Sequence, residues 1–169
     1  MNLYLMRHGI AVTADQPGVE SDGERALTPK GIKRMRRAVR GLRRLGISFD
    51  AILTSPLVRA RQTAEIVADT LGLADHLDEI PELTPENSVD RLVSGLTRFR
   101  DKKNLLLVGH NPLLTNVASF LIAGKKDAKF QIDLKKGGLC CIEIDDLPPD
   151  SSGTLCWFLT PKQLRRLGG

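Results

Sequence analysis

The chain has 169 residues, 41% of them apolar and 27% charged, with a formal net charge of +5 and a sequence pI near 9.3. Those values describe one soluble domain with a sizeable core, and no apolar run approaches the ~18–20 residues that span a bilayer. The first residues enter strand-like sequence without a charged leader, so a secreted protein is not expected and a cytoplasmic one is; the positive charge fits anionic substrates, nucleic acid or acidic protein surfaces without choosing among them.

Leu3-Tyr4-Leu5-Met6 reads as a first strand, apolar on both faces and therefore central in a covered sheet. It leads into Arg7-His8-Gly9, which places a cation and an imidazole at the strand's carboxyl end, where open α/β sheets hold their ligands. Residues 14–26 are rich in Asp, Glu, Gly, Ser and Pro and read as a loop bordering that end. Arg25 in this loop is a candidate substrate-facing cation, or else a solvated one. Thr28 as N-cap and Pro29 at the first helical position start a helix that stops at Gly46. Its inward stripe is Ile32, Met35, Val39, Leu42 and Leu45. Its other face is crowded with Lys33, Arg34, Arg36, Arg37, Arg40, Arg43 and Arg44, a solvated face or a docking face for an acidic partner. No aromatic residues interleave these charges to stack on bases, so no nucleic-acid partner is expected.

Residues 50–53 read as a second strand, followed by a helix with Ser55 as N-cap, Pro56 at its first position and Gly72 as its stop. Arg59 and Arg61 lie in its opening turns, where the helix already presents unpaired N–H groups, so an arginine there strengthens an anion site. Residues 77–80 read as a short strand and 88–99 as a helix. Leu105-Leu106-Leu107-Val108 is a buried strand that ends in Gly109-His110, with Asn111 able to cap a helix over 112–123. Residues 130–134, 138–144 and 154–159 read as strands, and 161–167 as a last helix. The three cysteines, Cys140, Cys141 and Cys156, include no C-x-x-C pair and are expected as buried thiols of a reducing compartment. Neighbouring strand residues face opposite sides, so Cys140 and Cys141 do not share a metal.

Alternating strands and helices predict a three-layer α/β/α sandwich with a mostly parallel central sheet, in one domain over residues 1–169. His8, the Arg59 region and His110 all follow predicted strands and can converge on one edge. Two imidazoles and two guanidiniums around one point make a phosphate site with its own nucleophile. Phosphoryl transfer needs an in-line attacker and positive charge around the equatorial oxygens. Neutral imidazole supplies the first, and Arg7 and Arg59 supply the second through planar forks. His110, if protonated, stabilises charge that grows in the transition state.

Arg7-His8-Gly9, then Ser55-Pro56-Leu57-Val58-Arg59-Ala60-Arg61-Gln62-Thr63-Ala64, then Gly109-His110, resembles in content and order the histidine phosphatase superfamily, with its phosphoglycerate mutase-like fold. The resemblance implies a phosphohistidine intermediate on His8, a phosphate pocket from Arg7, Arg59 and His110, and no metal or organic cofactor. Within the superfamily, Arg25-Ala26-Leu27-Thr28-Pro29-Lys30-Gly31, Pro81-Glu82-Leu83-Thr84-Pro85 and the short chain resemble the SixA-type phosphohistidine phosphatases. Ile10-Ala11-Val12 replaces the polar and aromatic residues that follow Arg-His-Gly in mutases, which speaks against mutase activity.

The general acid is the open position. Larger acid phosphatases of the superfamily carry Asp after the second histidine, where this chain has Asn111, a candidate substrate contact that cannot donate in that way. The superfamily's mutase branch takes a Glu from the segment before its third strand region, and by that resemblance Glu82 is the candidate, or else a solvated loop carboxylate. His76, in Ala74-Asp75-His76-Leu77-Asp78, offers a metal-ligand reading that no other residue supports. The expected partner is the phosphohistidine of a phosphotransfer protein, with a small phosphate ester or sugar phosphate as the alternative. A non-catalytic phosphate-recognition module would not need His8. No membrane partner is expected, and the sequence leaves the oligomeric state open.

Overall fold

Six strands form one sheet in the order β3-β2-β4-β1-β5-β6. The computed structural model describes residues 1–124 and 131–169. β1 (Asn2–Arg7), β2 (Ala51–Thr54), β3 (Leu77–Glu79) and β4 (Asn104–Gly109) run parallel; β5 (Leu139–Glu143) and β6 (Thr154–Leu159) are antiparallel to their neighbours. The expected mostly parallel three-layer architecture is observed. Alternate residues of β1 and β4 feed two cores, as strand pleating requires. Leu3, Leu5, Leu105 and Leu107 pack with α3 (Val89–Leu96) and α4 (Leu113–Ala123). Tyr4, Met6, Leu106 and Val108 pack with α1 (Pro29–Arg44), α2 (Val58–Leu71) and α5 (Pro161–Leu167).

α1 starts as its sequence dictates: the Thr28 hydroxyl accepts the Gly31 N–H at 2.9 Å, with Pro29 in the first position. Its buried stripe is rotated from the expected one. Ile32 is half-buried and Leu45 exposed, while Ala38 and Gly41 are buried because α5 packs there. That crossing brings backbones into contact: a Cβ at Gly41 would collide with the Leu164 carbonyl, and one at Gly168 with the Arg37 carbonyl. The cationic face is partly spent on the same contact. Arg37 Nε, Arg40 Nε and Arg44 Nη1 donate to the carbonyls of Arg165, Gly168 and Leu167 at 2.9, 3.4 and 2.8 Å. These arginines satisfy carbonyls that the end of α5 leaves open.

α2 begins at Val58 rather than at Pro56, with Leu57 at the cap and no side-chain cap bond. The Ser55 hydroxyl accepts the Leu57 N–H at 3.3 Å and is otherwise committed to His110. Asn111 does not cap α4; Pro112 holds that position, after a cis Asn111–Pro112 peptide. Residues 131–134 are not a strand, and Phe130 of that expected strand lies outside the described residues. The Leu134 carbonyl accepts from the Arg7 and Asn111 side chains instead of entering a ladder. Cys140 and Cys141 are buried thiols as expected, but Cys156 is exposed because β6 is an edge strand. No helix among the described residues is long and apolar enough to cross a membrane.

Candidate active site

The site follows from the register of three adjacent parallel strands. Met6 and Thr54 both pair with Val108, and Arg7 pairs with Gly109, so the carboxyl ends of β1, β2 and β4 are level. The ladder runs one step further through His8 N–H to the Gly109 carbonyl (3.0 Å) and Ser55 N–H to the Val108 carbonyl (3.1 Å). His8, Ser55 and His110 therefore stand side by side. The two imidazole centroids are 5.1 Å apart with planes at 50°. The histidines are only 5% and 2% exposed, too little to be surface residues.

His8 Nδ1 lies 2.7 Å from the Gly9 carbonyl. A carbonyl only accepts, so Nδ1 carries the proton and Nε2 keeps its lone pair. Burial pushes the His8 pKa down to about 3; the Gly9 carbonyl opposes this, and His110, Arg59 and Arg7 add to it. The ring is neutral at pH 7. His110 Nε2 lies 2.9 Å from Ser55 Oγ. Ser55 Oγ already accepts the Leu57 N–H, and among the described residues its own proton has only His110 Nε2 to go to. His110 then carries its proton on Nδ1, which is buried and has no partner among the described residues. Burial, and next the Arg59 charge, push the His110 pKa down to about 4. The protonated His110 that the sequence reading invoked is thus not the resting form; a bound phosphoryl anion would act in the opposite direction.

Arg59, in the first turn of α2, is 5% exposed. Its Nη1 donates to the Asp22 carbonyl (2.6 Å) and its Nη2 to Asp22 Oδ2 (2.8 Å). Asp22 Oδ1 accepts Arg25 Nη1 at 2.7 Å, and Arg25 Nε donates to the Val12 carbonyl at 2.8 Å. One carboxylate thus holds two guanidiniums, and Arg25 first and Arg59 next hold the Asp22 pKa below the ordinary carboxylate value. The 3-10 turn Asp22–Glu24 that carries Asp22 went unread in the sequence. The Asp-x-x-Arg spacing ahead of Arg25 was its available signal. Gln62 and Thr63, beside Arg59 in sequence, are structural. Gln62 Oε1 accepts the Leu27 N–H (2.7 Å), and Thr63 Oγ1 donates to the Arg59 carbonyl (2.7 Å) while accepting the Gly9 N–H (3.0 Å). Thr63 binds α2 to the residue after His8, and Gln62 binds it to the residue before the Thr28 cap.

Arg7 Nη1 donates to the Leu134 carbonyl at 3.1 Å, and Asn111 Nδ2 donates to the same oxygen at 3.1 Å. Arg7 Nε is buried without a partner among the described residues, as is Asn111 Oδ1. Lys136, missed in the sequence, sits in a turn whose Gly137 N–H bonds the Arg7 and His8 carbonyls at 2.9 and 3.1 Å. Burial, then Arg7, Arg25 and Arg59, lower its pKa. Arg7, Arg59, His8, His110 and Arg25 are brought to one sheet edge. Glu82 lies in the 3-10 turn Pro81–Leu83: Oε1 is 3.4 Å from Arg98 Nη1, its carbons pack where a Cβ on Gly95 would stand, and Oε2 is buried without a partner among the described residues. Arg61 pairs at 3.2 Å with Glu79 in an exposed contact. His76 is exposed at the opposite edge, with Nδ1 2.9 Å from the Asp50 carbonyl that precedes β2.

Unpartnered buried donors cost free energy unless a ligand accepts from them. Arg7 Nε and His110 Nδ1 are two such donors beside a neutral imidazole with a free lone pair. That set fits a tetrahedral oxyanion.

Residues 3–84 match the family model of the histidine phosphatase superfamily (branch 1). An uncharacterized protein of Picosynechococcus sp. is 42% identical over 142 residues, covering 82% of each chain. Phosphohistidine phosphatase SixA of Escherichia coli K12 is 28% identical over 167 residues, 98% of this chain and 97% of the relative. The structure of the protein histidine phosphatase SixA complexed with tungstate superposes with a TM-score of 0.80 at 28% identity, covering 97% of this chain and 99% of that one.

Proposed function

The chain belongs to the histidine phosphatase superfamily and is a phosphatase with a histidine nucleophile, and from that premise we propose that it removes phosphoryl groups from phosphohistidine on a protein, through an intermediate on His8. The observation that carries the reading is the buried His8 ring with Nδ1 held 2.7 Å from the Gly9 carbonyl, which places the proton on Nδ1 and leaves Nε2 free to attack. We read residues 1–169 as one phosphatase domain.

In the first step Nε2 of His8 attacks phosphorus and the substrate's P–N bond breaks. An imidazole whose other nitrogen is protonated leaves as a neutral molecule, so no protein acid is required. Arg7 Nε, the N–H groups of Arg59 that Asp22 does not engage, and His110 Nδ1–H bind the equatorial oxygens, whose charge they stabilise in place. In the second step water attacks the phosphoryl group, the His8 N–P bond breaks and inorganic phosphate departs. Asn111 contacts substrate through its spare Oδ1, and Arg25 acts at the rim with Asp22.

The substrate class rests on the leaving group. An alkyl phosphate needs a proton on its departing oxygen. Asn111 follows His110 and cannot supply that proton, and Oε1 of Glu82 is held by Arg98, whereas a phosphohistidine makes no such demand. The likeness to SixA supports the same class. The test is phosphate release from a histidine-phosphorylated phosphotransfer domain beside three-carbon and sugar phosphates. Turnover of the phosphodomain alone is expected; efficient turnover of the esters alone would reverse the assignment.

A further inference from the structure

A groove of about 340 Å³ opens beside the site, between α1, α5 and the turn at residues 135–138. It begins at Gly9 and Ile10, one residue past His8, and four cations line it: Arg34, Lys136, Lys162 and Arg165. None of these has a carboxylate within ion-pair distance among the described residues. Lys135 also lines the groove but is paired with Asp133 at 2.6 Å. No carboxylate lines it. Like charges were therefore gathered without internal compensation, at a cost that a bound polyanion would reverse.

Beneath the cations the floor is apolar, formed by Met35, Ala38 and Pro161. Met35 reaches it because two glycines make room: a Cβ on Gly9 or on Gly137 would stand 2.8 Å from the Met35 side chain. An apolar floor under a cationic rim does not converge on one point, as a second phosphate site would. It matches an extended or helical peptide surface with acidic residues at its edge and an apolar residue at its centre.

We propose that this groove seats an acidic, partly apolar segment next to the phosphorylated histidine of the protein substrate. The proposal rests on the protein-phosphohistidine reading above. It places docking on the α1–α5 side of the nucleophile, not on the outer face of α1, where Arg37, Arg40 and Arg44 already serve the end of α5.

The test compares two substrates, a histidine-phosphorylated phosphotransfer domain and phosphoramidate, on wild type and on the triple variant Arg34→Gln/Lys162→Gln/Arg165→Gln. The exposed Lys162→Glu serves as a second variant if the triple is poorly folded, and thermal melts accompany both. Expected is a loss of about ten-fold in kcat/KM for the phosphodomain, with a flatter salt dependence and unchanged phosphoramidate hydrolysis. Wild-type kcat/KM for the phosphodomain in both variants overturns the docking proposal and leaves the phosphohistidine reading standing. Equal losses on both substrates overturn it as well, because the cations then act on the chemistry. A wild-type enzyme that hydrolyses phosphoramidate but no phosphodomain overturns the protein-substrate reading and the docking proposal with it.

Discussion

Replacing Ser55 by alanine probes the least conspicuous part of the site. Ser55 is fully buried, and its hydroxyl is the partner of His110 Nε2 at 2.9 Å. Ser55→Ala removes that bond and the weaker acceptance from the Leu57 N–H. A buried imidazole nitrogen left without a partner costs about 1–3 kcal/mol. For a chain of this size that lowers Tm by roughly 2–12 °C. The consequence for catalysis is separate. Without Ser55 the His110 proton is free to move to Nε2, leaving Nδ1 as an acceptor facing an anion. A donor lost in this way reduces kcat/KM for phosphoramidate by about ten-fold or more, or ~1.4 kcal/mol. Imidazole ¹⁵N chemical shifts read the tautomer directly. Wild type should show Nδ1–H at both His8 and His110, and Ser55→Ala should shift His110 alone. A wild-type His110 protonated on Nε2, or an unchanged kcat/KM in the variant, would refute the reasoning.

Arg59→Ala should lose about 30–150-fold in kcat/KM, the worth of a charge-assisted contact of ~2–3 kcal/mol, while Arg61→Ala, which breaks only an exposed pair with Glu79, should stay within about two-fold in the same assay. Glu82→Gln should leave phosphoramidate hydrolysis within about three-fold, since a P–N leaving group needs no protein acid; a collapse of turnover would make Glu82 the acid. Stability should fall with pH below about 6.5. The unfolded histidines take up protons there, whereas folded His110 and His8 stay neutral down to about 4 and 3. The unfolded state then binds more protons, and each histidine contributes a slope of up to ~1.4 kcal/mol per pH unit in that window. His8→Asn should flatten the slope in urea titrations between pH 4.5 and 6.5, and an unchanged slope would show that His8 does not resist protonation.

The sequence made the skeleton of the site legible because its chemistry sits at strand ends. Apolar runs such as Leu105-Leu106-Leu107-Val108 announce central strands, and the residues after them fall on one edge, so the meeting of Arg7, His8 and His110 at that edge was legible without coordinates. Arg59 was legible from its place in a helix's first turn. Contacts made through chain reversal were not. Asp22 meets Arg59 across 37 residues, and the spacing of an irregular loop does not encode that meeting. Ser55 looked like an N-cap because Ser-Pro usually is one; here a tertiary partner, His110, took the hydroxyl and the helix began later. The segment before Gly138 looked like a strand from its apolar residues. The Leu134 carbonyl is instead claimed by two side-chain donors of the site, which no local pattern reports. The basic face of α1 is exposed, as its charge run suggested; what no local pattern reports is the use of Arg37, Arg40 and Arg44 against α5, which depends on the close approach at Gly41 and Gly168.

The central claim is that His8 Nε2 carries the phosphoryl group during turnover. Rapid quench with ³²P-labelled phosphodomain or phosphoramidate, followed by mapping of the label, tests it most directly. The account predicts an acid-labile, base-stable phosphoryl-enzyme on His8, with ³¹P–¹⁵N coupling to Nε2, that is absent in His8→Ala together with turnover. Near-normal turnover by His8→Ala, or phosphorus bound to Nδ1, would contradict it.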